Sequence, residues 1–183
     1  MARNALSILV VAGVVLVAVV LWNRPTNLGP LPDVELQHLT GASKSVTLAD
    51  VRGKVTILNF WGTWCPPCRD EFPHIVDLYR AFGDRPDFRL LAVSCDGEHD
   101  DDVDALKHAT SQFLHQQGTS DFPTYVDRAR ITREALARVG AFQGVYPTTL
   151  IVDRKGIIRG TWVGYRPGAE VAMHSLIGKL LAE

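Results

Sequence analysis

The sequence predicts an α/β domain, a mixed central sheet with helices on both faces. Three observations carry this expectation. Residues 55–60 (Val-Thr-Ile-Leu-Asn-Phe) form a β-branched, nearly all-apolar run, the pattern of a strand buried on both sides. Residues 89–94 (Arg-Leu-Leu-Ala-Val-Ser) repeat that pattern after an intervening helical stretch. Residues 148–152 and 157–163 flank Asp153-Arg154-Lys155-Gly156, a β-hairpin signal, and residues 169–181 close the chain as a helix. The order is therefore strand, helix, strand, helix, then hairpin and helix.

The remaining elements follow in chain order. Residues 34–39 and 45–48 flank Thr40-Gly41-Ala42 as a small hairpin ahead of the first buried strand. After residue 68 a helix presents Phe72, Ile75, Val76, Tyr79 and Phe82 on one face, and Pro73, beyond its first turn, predicts a kink. Val103, Leu106, Thr110, Phe113 and Leu114 space out a second helix that ends near Gly118. Residues 124–126 read as a short strand. Ile131, Ala135 and Val139 read as the apolar stripe of a short helix stopped at Gly140.

The first 24 of the 183 residues stand apart. Between residues 5 and 22 only Ser7 and Gly13 fall outside the apolar set, and none is charged. As a helix this stretch spans roughly 27 Å, close to the hydrocarbon thickness of a bilayer. It is too long for an ordinary cleaved signal, it lacks a small-x-small cleavage pattern, and Trp22 stands where an interfacial aromatic belongs. Residues 1–24 are read as a signal anchor, residues 25–32 as a Pro-rich tether and residues 33–183 as the domain. Arg3 and the amino terminus outweigh Arg24, which keeps the amino end cytoplasmic and exports the domain.

Without that segment, 17 basic side chains face 20 acidic ones. A weakly acidic chain with no basic run excludes nucleic acid as the main partner. Three cysteines exclude a disulfide scaffold, and roughly 160 residues bury a core without one.

Cys65-Pro66-Pro67-Cys68 follows the first buried strand directly and opens the helix. A dithiol spaced i, i+3 closes into a small ring on the first helical turn, where prolines are tolerated because the N–H groups have no helical partner. The first thiol sits at the positive end of the helix, which favours thiolate. Cys65 is therefore the attacking thiol, expected to be the more exposed, and Cys68 the resolving one. Half of a zinc site is the other reading of such a pair, but it needs two more ligands, and only Cys95 with His99 is in view. No metal and no cofactor are expected.

The segment Asn59-Phe60-Trp61-Gly62-Thr63-Trp64-Cys65-Pro66-Pro67-Cys68-Arg69-Asp70-Glu71-Phe72-Pro73 resembles the active-site stretch of the TlpA/ResA/CcmG group, membrane-anchored thioredoxin-fold thiol-disulfide oxidoreductases of bacteria. Gly144-Val145-Tyr146-Pro147-Thr148-Thr149-Leu150-Ile151-Val152-Asp153 resembles the group's second signature. The resemblance implies a thioredoxin-like fold, with the early hairpin as the group's extension. It implies Cys65 and Cys68 as the redox disulfide, Glu71 as a buried proton acceptor, and Pro147 as a cis-proline facing the dithiol. Trp64 and Tyr146 join Pro147 as expected substrate contacts. Tyr146 is bulkier than the group's pattern, and the Gly-Ala-Pro-Glu run of the cytochrome-c-maturation branch is absent. The partners implied are disulfide-containing client proteins, apocytochrome c among them, and a thiol-reducing membrane protein as electron donor, all on the extracytoplasmic side.

Two other functions stay open on the residues alone. A thiol peroxidase would use Thr63 and Cys65, although the cysteine comes one residue too early for a Thr-x-x-Cys pattern. A metal chaperone or sensor would use Cys65, Cys68 and Cys95. Cys95, at the end of the second strand, reads as a small buried hydrophobe. Asp96, Glu98, Asp100, Asp101, Asp102 and Asp104 lack calcium-loop spacing and read as a solvated run preceding a helix. The six histidines show no ligand spacing.

Overall fold

The computed structural model describes residues 28–97 and 102–183. The anchor expected over residues 1–24 and the first part of the tether lie outside the described residues. Among the described residues, no helix is long and apolar enough to cross a membrane.

Seven strands form one mixed sheet: β1 (Glu35–Thr40), β2 (Val46–Thr47), β3 (Val55–Trp61), β4 (Phe88–Ser94), β5 (Thr124–Val126), β6 (Thr148–Val152) and β7 (Ile158–Val163). Their order is β2-β1-β5-β4-β3-β6-β7. β3, β4 and β5 run parallel, while β1 and β6 flank them antiparallel. The helices are α1 (Leu48–Val51), α2 (Pro66–Phe82), α3 (Val103–Gln116), α4 (Ile131–Arg138) and α5 (Ala169–Ala182). All seven residues of β3 are buried, polar Thr56 and Asn59 among them, as a central strand covered on both faces requires.

The sheet divides the core in two, because successive side chains of a strand point to opposite faces. On one face Val55, Ile57 and Trp61 pack with Phe72 and Ile75 of α2, Phe113 and Leu114 of α3, and Met173 and Ile177 of α5. On the other, Leu58, Phe60, Leu91 and Val93 pack with Leu136 of α4 and with Val34, Leu36 and Val46 from the amino-terminal hairpin. That hairpin pairs Glu35 with Thr47 and Leu36 with Val46. Gly41, in its turn, has φ +61°, and a side chain there would meet the carbonyl oxygens of Asp121 and Phe122 at 2.5 Å. Residues 29–31, at the end of the stretch read as a tether, are bonded to the β6–β7 turn: Leu31 N donates to Gly156 O (2.7 Å) and Ile158 N to Gly29 O (3.0 Å).

Pro73 stands inside α2, which continues through it to Phe82. The expected stripe of α3 is buried at Leu106, Thr110, Phe113 and Leu114, and Asp102 caps that helix by accepting from Ala105 N (2.9 Å). α4 departs from expectation. Its buried residues are Thr132, Arg133, Ala135 and Leu136, whereas Ile131 and Val139 are each 40% exposed. The helix is turned by a polar anchor at its start, described below.

Candidate active site

β3 delivers the chain into the loop 62–65, which can only form around a glycine. A side chain on Gly62 would run into Trp64 Nε1 and lie 2.7 Å from the Cys95 carbonyl oxygen. Cys65 is the N-cap of α2, with extended backbone angles, and Pro66 and Pro67 occupy the first helical positions, where no N–H is needed. Cys65 and Cys68 are joined as a disulfide, with Cα atoms 5.3 Å apart. Cys68 N donates to Cys65 Sγ (3.3 Å), so a helix-terminal N–H aims at the first sulfur. Exposure does not separate the two as expected: Cys65 is 3% exposed and Cys68 1%. The bond turns the sulfurs toward each other, inside a cluster against which Tyr146 also packs. What distinguishes Cys65 is its place at the helix terminus.

Glu71 lies one turn beyond Cys68 on α2 and is 2% exposed. Its carboxylate is held by two donors. Asn59 Nδ2 donates to Oε2 (2.9 Å), and Thr149 Oγ1 donates to Oε1 (3.3 Å). Asn59 Nδ2 also donates to Thr149 Oγ1 (2.8 Å), closing a ring of contacts between α2, β3 and β6. Asn59 and Thr149 are paired across the antiparallel ladder, which brings both side chains beneath α2. Burial pushes the Glu71 pKa up to about 7, against the two hydrogen bonds, with a smaller upward push from Glu170.

The peptide bond between Tyr146 and Pro147 is cis. Thr148 is opposite Phe60 in the ladder, so Pro147 stands at the end of the sheet from which the dithiol loop departs. The turn is fixed by Thr148 Oγ1 donating to Val145 O (2.7 Å) and Gly164 N donating to Pro147 O (2.8 Å). Trp64 is half exposed, meets the Tyr146 ring edge-on at 5.6 Å, and donates from Nε1 to Cys95 O (2.9 Å). Trp64 and Tyr146 thus meet beside the disulfide.

The structure adds a group that sequence periodicity passed over. Asp127, fully buried after β5, accepts from Thr132 N and Arg133 N (both 2.9 Å) and so caps α4 from five and six residues upstream. Ala129 and Arg130, between them, hold φ of 51° and 59°, a left-handed turn that costs about 1 kcal/mol or more per residue. The Arg133 side chain returns to the same carboxylate, Nε to Oδ2 at 3.0 Å, and also donates to Tyr146 Oη (2.9 Å). Burial works against its charge, but the facing Cys95, Tyr146 and Asp127 outweigh it, so Arg133 is firmly cationic. The only sequence signal is an acid four residues before a helix, too loose to single out.

Cys95 is fully buried and belongs to the cluster on the face of the sheet away from Cys65 and Cys68. Among the described residues, no three of His, Cys, Asp and Glu come together so as to hold a metal ion. His99, like Glu98, Asp100 and Asp101, lies outside the described residues.

Comparison with known proteins agrees with this geometry. The profile of the AhpC/TSA family matches residues 29–161. The thioredoxin-like protein YneN of Bacillus subtilis is 32% identical over 73% of this chain and 69% of its own length. The thiol-disulfide oxidoreductase ResA of Geobacillus thermodenitrificans is 32% identical over 78% of this chain and 72% of its own. Among solved structures, a thioredoxin-family thiol:disulfide interchange protein from Chlorobium tepidum superposes with a TM-score of 0.63 at 25% identity, covering 86% of this chain and 97% of that one. A secreted thiol-disulfide isomerase from Corynebacterium glutamicum gives 0.65 at 25% identity, covering 84% and 86%. The chain belongs to the AhpC/TSA family and is a thioredoxin-fold thiol-disulfide oxidoreductase similar to ResA.

Proposed function

We propose that this chain reduces disulfides of client proteins outside the cytoplasm, tethered to the membrane by residues 1–24. Cys65 attacks one sulfur of the client disulfide as thiolate, forming a mixed disulfide and releasing the first client thiolate. The Cys68 thiol gives its proton to Glu71 and attacks Cys65 Sγ, releasing the second client thiolate. Two electrons pass to the client, and the chain is left with the Cys65–Cys68 bond. A membrane thiol donor returns the dithiol, and no cofactor takes part. Pro147, Tyr146 and Trp64 receive the client polypeptide beside the disulfide.

The observation that carries this reading is a buried carboxyl, its pKa pushed up to about 7, one helical turn from the resolving half of a disulfide at a helix terminus. The length and apolarity of residues 5–22 support the tether, and relatives named ResA support the reaction class. Expression of Cys68→Ser in the native compartment tests it. Client proteins should be captured as adducts on Cys65 that dissolve with reductant and vanish when Cys65→Ser is added. Adducts on another residue, or turnover of peroxide in their place, would refute it.

A further inference from the structure

Arg133 is 2% exposed and paired with a wholly buried Asp127, an arrangement that carries a heavy desolvation cost. Its geometry shows what an apolar pair could not do. Nε and one terminal nitrogen are committed to Asp127, at 3.0 Å to Oδ2 and 3.2 Å to the main-chain oxygen. That anchorage fixes the plane of the guanidinium and leaves the other terminal nitrogen directed at Tyr146 Oη, 2.9 Å away. Tyr146 immediately precedes Pro147, and its ring lies edge-on to both Trp64 and Phe142, each at 5.6 Å. Trp64 is in turn fastened through Nε1 to the Cys95 carbonyl. A continuous set of contacts therefore runs from the buried cap of α4 to the half-exposed indole next to Cys65.

We infer that Arg133 is a positioning residue: through the Tyr146 hydroxyl it fixes the Trp64–Tyr146 surface in one arrangement, and so sets the preference for polypeptide disulfides over small ones. The inference rests on the reading of that surface as the client contact. A polypeptide must lie against the surface and gains from its being preorganised, whereas a small disulfide needs only the sulfur of Cys65. Clients are recognised by an extended segment flanking their disulfide, with apolar side chains that pack on Trp64.

The test compares kcat/KM for reduction of insulin with that for hydroxyethyl disulfide, both with the reduced chain. Tyr146→Phe keeps the ring contacts and removes only the hydroxyl. The ratio of the two constants should fall at least about fivefold, mostly through KM for insulin. Arg133→Lys keeps a cation for Asp127 but cannot span to Tyr146, and should lower the ratio by a similar factor. Together they should lower it no further, because both break one contact. An unchanged ratio in Tyr146→Phe overturns the inference, as do penalties that multiply in the double variant. If Arg133→Lys fails to fold, Tyr146→Phe decides alone. Trp64→Ala separates the two levels: if it leaves the ratio unchanged, the client surface itself is misassigned, whereas a fall there without one in Tyr146→Phe removes only the role of Arg133.

Discussion

Where β4 begins, Asp87 stands partly in water between two cations, with Arg85 Nε at 3.0 Å and Arg154 at 2.6 Å. Beneath the other end of the same strands, Glu71 is closed in with neutral Asn59 and Thr149. The two carboxylates respond in opposite directions. Hydrogen bonds from Arg85 and Arg154 bring the Asp87 pKa down to about 2, while burial lifts that of Glu71 to about 7. Arg154 also donates to the carbonyls of Leu180 and Leu181, so the Asp87 end ties the β6–β7 turn to the last turn of α5. One end uses charge to join elements in solvent. The other hides a group that changes charge near neutral pH, the property the proposed proton acceptor needs.

The largest effect expected from breaking this contrast is kinetic. Glu71→Gln preserves the shape and keeps an oxygen for Asn59, turns the Thr149 hydroxyl from donor to acceptor, and cannot take a proton. Resolution of the mixed disulfide by Cys68 should slow about 10²-fold near neutral pH, and the rise in rate through pH about 7 should disappear. Rapid acid quench of the mixed disulfide reads both, and an unchanged rate would return Glu71 to a structural role.

The next effect is on stability, and the two carboxylates should give opposite signs. Glu71 binds its proton more tightly folded than unfolded, so the folded state loses stability as pH rises from about 4.5 to about 7. Glu71→Gln should therefore gain on the parent by about 2–3 kcal/mol between pH 5 and pH 8 in urea unfolding. Asp87 is the reverse. Its contribution is complete above the unfolded value near 4 and disappears as pH falls through about 2. Asp87→Asn should cost no more than about 1 kcal/mol at pH 7, given its exposure, and only a small part of that at pH 2. Curves that shift in the same direction for both variants would show that burial is not what separates the two sites.

The smallest effect is expected at Cys95. It packs across the sheet from the disulfide, and the proposed cycle runs on Cys65 and Cys68 without it. Cys95→Ala should leave insulin reduction within about threefold, under about 1 kcal/mol. A hundredfold loss in folded protein would bring Cys95 into the chemistry.

How much of this was readable beforehand depended on whether the signal was local. The run from Val55 to Phe60, the turn Asp153-Arg154-Lys155-Gly156 and the face of α3 could be read because each is set by residues near one another in the chain. The dithiol was readable for the same reason. α4 was not. A stripe of Ile131, Ala135 and Val139 was the better periodic pattern, and it lost to Asp127, whose carboxylate takes two N–H groups and a guanidinium and turns Arg133 inward. The short α1 escaped notice because four residues carry no periodicity. The exposure expected of Cys65 failed because packing around the closed disulfide, with Tyr146 from a distant segment, is a tertiary fact.

The ring joining Asn59, Thr149 and Glu71 has a polarity. Asn59 Nδ2 gives one hydrogen to Glu71 and the other to Thr149, so the Thr149 hydroxyl has its own hydrogen left to give to the carboxylate. Both neighbours thus offer a hydrogen to the charged carboxyl, which favours the anion against its burial, while the Thr149 hydroxyl keeps a second lone pair and is able to turn and accept once a proton arrives. In the proposed cycle Glu71 is a proton store whose lining answers to its load.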